Sequence, residues 1–214
     1  MKNIIKVNNI EDAKSSPLRP IMALDNNKEL FIEGKKYIPE GFVDLGLPSG
    51  TLWAKCNIGA QIETDSGDYY QWATTTPFSI NGTTVSPAAN WETYPYSDNS
   101  GTYFTKYNGE STSNVLESSD DVVTKTFGNG YKIPHHVNFT ELIQNTNNEY
   151  TTINNINGYK FINKNDSTKY IFLPTSGYCW NTLLSEKNNT GYCSASDFIQ
   201  SACSSASILM FNDE

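Results

Sequence analysis

Residues 41–60 read GFVDLGLPSGTLWAKCNIGA. Two short apolar runs flank Leu47-Pro48-Ser49-Gly50, and Gly46, Pro48 and Gly50 punctuate the segment. Proline presets one φ of a turn and glycine tolerates the positive one, so Pro48-Ser49-Gly50 predicts a reversal between two strands. A strand-like opening of this kind, with short helices only in the middle of the chain, sets the fold class.

Downstream, GDYYQWA (residues 67–73) is an aromatic segment around Trp72. Residues 79–119 run through Asn, Ser, Thr, Gly and Tyr with little periodicity and predict a long irregular insertion, of the length that usually carries function. Asp120 and Asp121 then lead VVTKTF and Gly128 closes it, acid at the positive end of a short helix and glycine at its stop. Asn138 precedes FTELIQN with Glu141 three places on, which predicts a second helix capped by Asn138. Phe139, Leu142 and Ile143 form its expected apolar stripe. NGYKFIN (157–163), KYIFLP (169–174), GYCSAS (191–196) and ASILMF (206–211) read as strands, with turns expected at Asn157-Gly158 and around Asn165-Asp166. Upstream, residues 29–38 predict a small hairpin about Gly34, and residues 1–28 are polar, carry Pro17 and Pro20 and hold no sustained period. The expected organisation is an extended N-terminal arm with its hairpin (1–40), for anchoring and assembly. It precedes an α+β domain (41–214) that is mainly β and loop-rich with two short helices.

Composition narrows the function. Of 214 residues, 37% are hydrophobic and 18% charged, yet ten Phe, four Trp and thirteen Tyr supply a core despite few Leu and Val. The net charge of −8 and the single arginine, Arg19, argue against nucleic acid and against an anionic membrane surface. MKNIIKVNNI (residues 1–10) lacks a continuous apolar signal-peptide core, and no stretch approaches a membrane span, so no membrane insertion is expected. Cys56, Cys179, Cys193 and Cys203 match no zinc-ligand spacing; free or half-buried thiols are expected, with a disulfide among the last three as the alternative. His135 and His136 are adjacent, and side by side on a strand they point to opposite faces, a poor arrangement for one metal ion.

Taken in order, VDLGLPSGTLWAKCNIGA, GDYYQWA, DDVVTKTFGNGYKIP, FTELI, NGYKF, IFLPTSGY and GYCSAS resemble the Fibrobacter succinogenes major paralogous domain. That family is abundant in proteins of Bacteroidetes and of the phages that infect them. The resemblance covers about residues 42–211. It implies a C-type lectin-like fold, related to the formylglycine-generating-enzyme superfamily and to receptor-binding domains of phages. Three departures stand out. Tyr131-Lys132-Ile133-Pro134 replaces a common Trp-Arg-Met-Pro, and Tyr192-Cys193-Ser194-Ala195 replaces Tyr-Trp-Ser-Ser. The usual closing strand after ILMF has no counterpart before Glu214; if the chain is complete, the expectation is that this strand is missing or comes from elsewhere, such as the N-terminal hairpin or a neighbouring subunit.

No phosphate loop, HExxH or GxSxG is present. Cys193 and Cys203 lack the context of the superfamily's catalytic cysteine pair, and Cys193 reads as a core substitution at a family Trp position. Trp180-Asn181 and Asn212-Asp213-Glu214 are fragments of a lectin calcium motif without the full oxygen set. Asp65 and Asp68 read as turn and cap residues rather than a glycosidase pair. The sequence therefore predicts no catalytic residue, no cofactor and no metal site. Its expected ligand surface is the aromatic insertion: Trp91, Tyr94, Tyr96, Tyr103 and Tyr107, rigid rings among adaptable Asn, Ser and Gly.

These readings converge on a non-enzymatic virion structural protein, a head fibre, spike or decoration subunit on the virion exterior. The arm would meet capsid or tail proteins, and the lectin-like domain would face a host-surface glycan or protein. A homo-oligomer is expected, a trimer favoured. The alternative is an adhesin-like binding protein of the bacterial cell surface or periplasm whose leader is absent.

Overall fold

The computed structural model describes residues 31–32, 35–36, 38–98, 104–108, 115–198 and 206–213. Of the N-terminal arm, those residues include 38–40 and a small hairpin, β1 (Phe31–Ile32) with β2 (Lys35–Lys36), as the sequence around Gly34 predicts. Residues 1–30 lie outside the described residues. No described helix is long and apolar enough to cross a membrane.

The main body is mostly β, assembled from small antiparallel sheets, with two short helices between them. β3 (Phe42–Asp44) and β4 (Leu52–Ala54) pair across the predicted turn, where Gly50 N–H donates to the Leu47 carbonyl at 2.9 Å and Gly50 takes φ +74°. Val43, Leu45, Leu47 and Trp53 point from this unit into the principal core.

α1 (Val122–Phe127) starts where the paired aspartates predict. Asp121 is its N-cap, its Oδ1 accepting from Val123 and Thr124 N–H at 2.9 and 3.0 Å. α2 (His136–Asn145) starts three residues earlier than the Asn138 reading allows. His135 is the cap residue, and Asn138 sits in the first turn with its Oδ1 accepting the His135 N–H at 2.9 Å. Glu141, freed from any capping role, reaches across to the β3–β4 turn. Its carboxylate accepts from Ser49 N–H and Ser49 Oγ, both at 2.7 Å. Phe139 and Leu142 are buried against the core as expected, but Ile143 is exposed.

β7 (Thr146–Ile153), β8 (Ile156–Asn163) and β9 (Asp166–Pro174) form a meander. The β8–β9 reversal falls at the expected Asn165 region, but Asn157-Gly158 is not a turn. Those residues lie inside β8, and the chain reverses at Asn154-Asn155, with φ +49° and +63°. Two asparagines supply the paired positive φ that a tight hairpin requires, a role Asn fills when Gly is absent. Gly158 has a different reason to be glycine: a Cβ there would lie 2.4 Å from the Phe172 ring.

The predicted irregular insertion begins as structure. β5 (Ser79–Asn81) and β6 (Thr84–Ala89) form a hairpin through Gly82, φ +62°, and β6 also pairs with β10 (Tyr178–Ser185). The Asn81-Gly82 dipeptide carries that signal, muted by polar flanks. Last, β11 (Gly191–Phe198) pairs with β12 (Ala206–Phe211). Their inner residues Cys193, Ala195, Leu209 and Phe211 complete the principal core with Phe139, Leu142, Phe161 and Ile171.

Candidate contact surface

Strand alternation gives β12 two faces of different fate. Leu209 and Phe211 point into the core, while Ile208 and Met210, between them, each leave more than half of their surface in water. Both faces of this strand are apolar and only one is covered. Across the ladder, Tyr192 pairs with Met210 and Ser194 with Ile208, placing these four on one outer face. The Tyr178 ring meets Tyr192 edge-on at 5.2 Å and extends that face onto β10.

β10 itself carries an irregularity with a consequence. Its register with β6 shifts between Asn181 and Leu183, and Asn181 takes φ +50°. The extra residue changes parity, so Cys179 and Leu184 both contribute to the inner cluster with Val85 and Ala89. Tyr178, Trp180 and Leu183 are left on the outside, all exposed. The exposed large hydrophobes of β10 and of β11–β12 thus lie on two sheets joined by the Tyr178–Tyr192 contact. Single exposed hydrophobes are ordinary; a run of them on adjoining strands marks an interaction site.

The aromatic insertion is built the other way. Tyr107 is 1% exposed and Tyr94 is also buried, so neither belongs to an outward surface, contrary to the sequence expectation. Tyr94 lies among Trp91, Tyr96 and Phe104 at centroid distances of 5.9, 5.9 and 5.5 Å. Tyr107 packs on Trp72 at 5.2 Å and Phe198 at 6.2 Å. Trp91 and Tyr96 are half-buried at the margin, and Tyr103 lies outside the described residues. A chain short of Leu and Val fills this second core with rings, which bury large areas each and prefer tilted and edge-on contacts.

Asp120 stitches that ring layer together. Its carboxylate accepts from Tyr107 Oη at 2.5 Å, Tyr96 Oη at 3.0 Å and Ser119 Oγ at 3.1 Å, and pairs with Lys106 Nζ at 2.7 Å. Lys106 also meets Glu117 at 2.9 Å. Burial alone would raise the Asp120 pKa; the hydrogen bonds from Lys106, Tyr107, Tyr96 and Ser119 outweigh it, and the net shift is downward. Burial pushes the Tyr94 and Tyr107 hydroxyls well above their ordinary range.

A second polar cluster superficially resembles catalytic machinery. His135 Nδ1 lies 3.0 Å from Asp197 Oδ1 and 3.1 Å from Ser196 Oγ. A nucleophile relay needs the serine and the aspartate on opposite ring nitrogens, and here both address Nδ1. Ser196 Oγ is also directed at the Pro134 carbonyl, 3.3 Å away. Asp197 Oδ2 further accepts the His136 N–H at 2.5 Å and lies 3.3 Å from His136 Nδ1. Desolvation would raise the Asp197 pKa, but these histidine hydrogen bonds and charges lower it overall. The cluster fastens the start of α2 to β11. The adjacent histidines thus do converge, through one carboxylate. Among the described residues no group of three or more His, Cys, Asp or Glu side chains is placed to hold a metal ion.

Asp68 accepts from Tyr70 Oη at 3.2 Å and lies over Gly59, within a loop closed by Asp68 N–H to the Ile58 carbonyl. Cys56, Cys179 and Cys193 are free thiols; Cys203 lies outside the described residues. Desolvation pushes the Cys193 thiol up to about 12, so it packs in the core as a neutral small hydrophobe.

Comparison with family models, with curated proteins and with solved structures gives no match.

Two sequence signals for the exposed face were available. ILMF is a continuous apolar run, which a strand carries only when both of its faces are covered. The YCWNTLL run of β10 holds alternating large hydrophobes, disguised by the parity change at Asn181.

Proposed function

We propose that this chain is a non-enzymatic structural subunit of a phage particle, a head fibre, spike or decoration protein, whose main body is a C-type lectin-like domain used for contact. The observation that carries the reading is the outward apolar face of β10, β11 and β12. Area and aromatic rings, rather than a reactive group, are what this molecule offers to another surface. The resemblance of the LGLPSGTLWA segment and its companions to a domain common in phages of Bacteroidetes supports the particle setting. The segments that carry it, residues 42–54 above all, supply the hairpin and core positions Val43, Leu45, Leu47 and Trp53. In this reading the N-terminal arm holds capsid or tail proteins, and the body faces outward towards a host-surface glycan or protein.

Mass spectrometry of density-banded particles from the source culture, beside the cell-envelope fraction, tests the proposal. Full-length chain at stoichiometric copy number in the particles is expected. Chain found only in the envelope would instead make this a bacterial surface binder.

A further inference from the structure

We infer that the outer face of β10–β12 is covered by the same face of a second copy of this chain, packed sheet on sheet about a two-fold axis. The inference deepens the proposed function and rests on it only in treating this face as a contact surface. Three observations select a copy over a foreign partner. First, Tyr178, Trp180, Leu183, Tyr192, Ile208 and Met210 carry no charge in a chain whose net charge is −8. Two acidic bodies approach most easily where neither presents a carboxylate. A cationic partner would find no carboxylate among these side chains to pair with.

Second, the area is of the right size. Tyr178, Trp180, Leu183, Ile208 and Met210 are each at least 40% exposed. At about 100 Å² apiece they offer roughly 500 Å² per copy, at the upper end of what a monomer leaves bare. With its polar rim such a face approaches the about 800 Å² per partner of a standard interface. Third, the Tyr192–Met210 and Ser194–Ile208 pairs hold alternate side chains of β11 and β12 in register, and the Tyr178–Tyr192 ring contact joins β10 of the other sheet to them. Two such faces stack as the inner layers of a sandwich do. An isologous contact of this kind closes on itself, so the assembly has an even number of copies. A simple trimer, which the sequence resemblance favours, does not use this face.

Sedimentation equilibrium of the full chain over an about 100-fold concentration range tests the inference. The expected result is a dimer or an even multiple. Ile208→Glu with Met210→Glu should weaken association at least about 100-fold, since each copy would bury unpaired charges. Far-ultraviolet circular dichroism should stay unchanged, because both side chains face water in the single chain. Should the double variant fold poorly, Trp180→Ser gives an independent reading with the same expected direction. In the wild type, Trp180 emission should shift to the blue as the protein associates. A monomer at every concentration, a strict trimer, or an oligomer indifferent to these variants would overturn the inference. A monomer whose Trp180 is already shielded would assign the face to another part of the same chain, and would also overturn it. None of these results bears on whether the chain is found in particles.

Discussion

Replacing Asp120 by alanine should destabilise the fold by about 3 kcal/mol. The carboxylate is buried and serves four donors, and these do not count equally. Tyr107 is fully enclosed, and its hydroxyl has no route to water once Oδ2 is gone. A buried donor left unsatisfied costs about 1–3 kcal/mol, with the upper part of the range for a bond to a charged acceptor. Tyr96 is half-buried and can recover a water, which leaves about 0.5–1 kcal/mol. Lys106 keeps Glu117 and is partly exposed, so its loss is below about 1 kcal/mol. Asp120→Asn retains one carbonyl acceptor and should lose roughly half as much. Equilibrium urea unfolding, read by tryptophan fluorescence, measures both. The midpoint should fall at constant slope, and a cycle with Tyr107→Phe should show coupling above about 1 kcal/mol. A loss under about 1 kcal/mol for Asp120→Ala, or additivity with Tyr107→Phe, would refute the view that this carboxylate ties the ring layer together.

Other outcomes follow from the same contacts. Gly191→Ala should cost about 2–3 kcal/mol, because the new Cβ would sit 2.0 Å from the Phe211 ring; a thermal melt reports it, and an unchanged melt would mean the strand can shift. Tyr94→Ala should destabilise by about 3 kcal/mol in chemical denaturation rather than merely weaken binding, since the ring is interior. Acid should act through Asp120 and Asp197, both held below the ordinary 3.8 in the folded state. A lowered carboxylate pKa adds stability above the unfolded value and loses it as pH falls through the folded one. Unfolding free energy should therefore be level above about pH 5 and drop below about pH 4. A plateau extending through that lower range would contradict the two networks.

How far the sequence announces this molecule varies by element. Turn chemistry at Pro48-Ser49-Gly50 and the Asp121 cap are local effects, and local effects are legible. The α2 start misleads because Asn138 and Glu141 do form specific bonds, but with His135 and with Ser49, which is 92 positions away in the chain. Asn157-Gly158 misleads for a similar reason: glycine is needed there by the Phe172 ring across the sheet, not by a turn. The ring-rich insertion shows the general limit. Composition tells that Trp91, Tyr94, Tyr96 and Tyr107 are close in sequence, but not that Asp120 draws the Tyr96 and Tyr107 hydroxyls inward. The exposed face is hidden in the sequence because strand parity decides it, and the Asn181 irregularity resets that parity in mid-strand.

The most direct test of the account is oxidative footprinting of the isolated chain and of its native assembly, resolved to single residues. Trp180 and Met210 should react readily in the isolated monomer and be protected in the assembly, with Trp91 and Tyr96 little changed. Protection of Trp91 and Tyr96 with continued oxidation of Trp180 and Met210 would return the contact surface to the insertion and contradict the account.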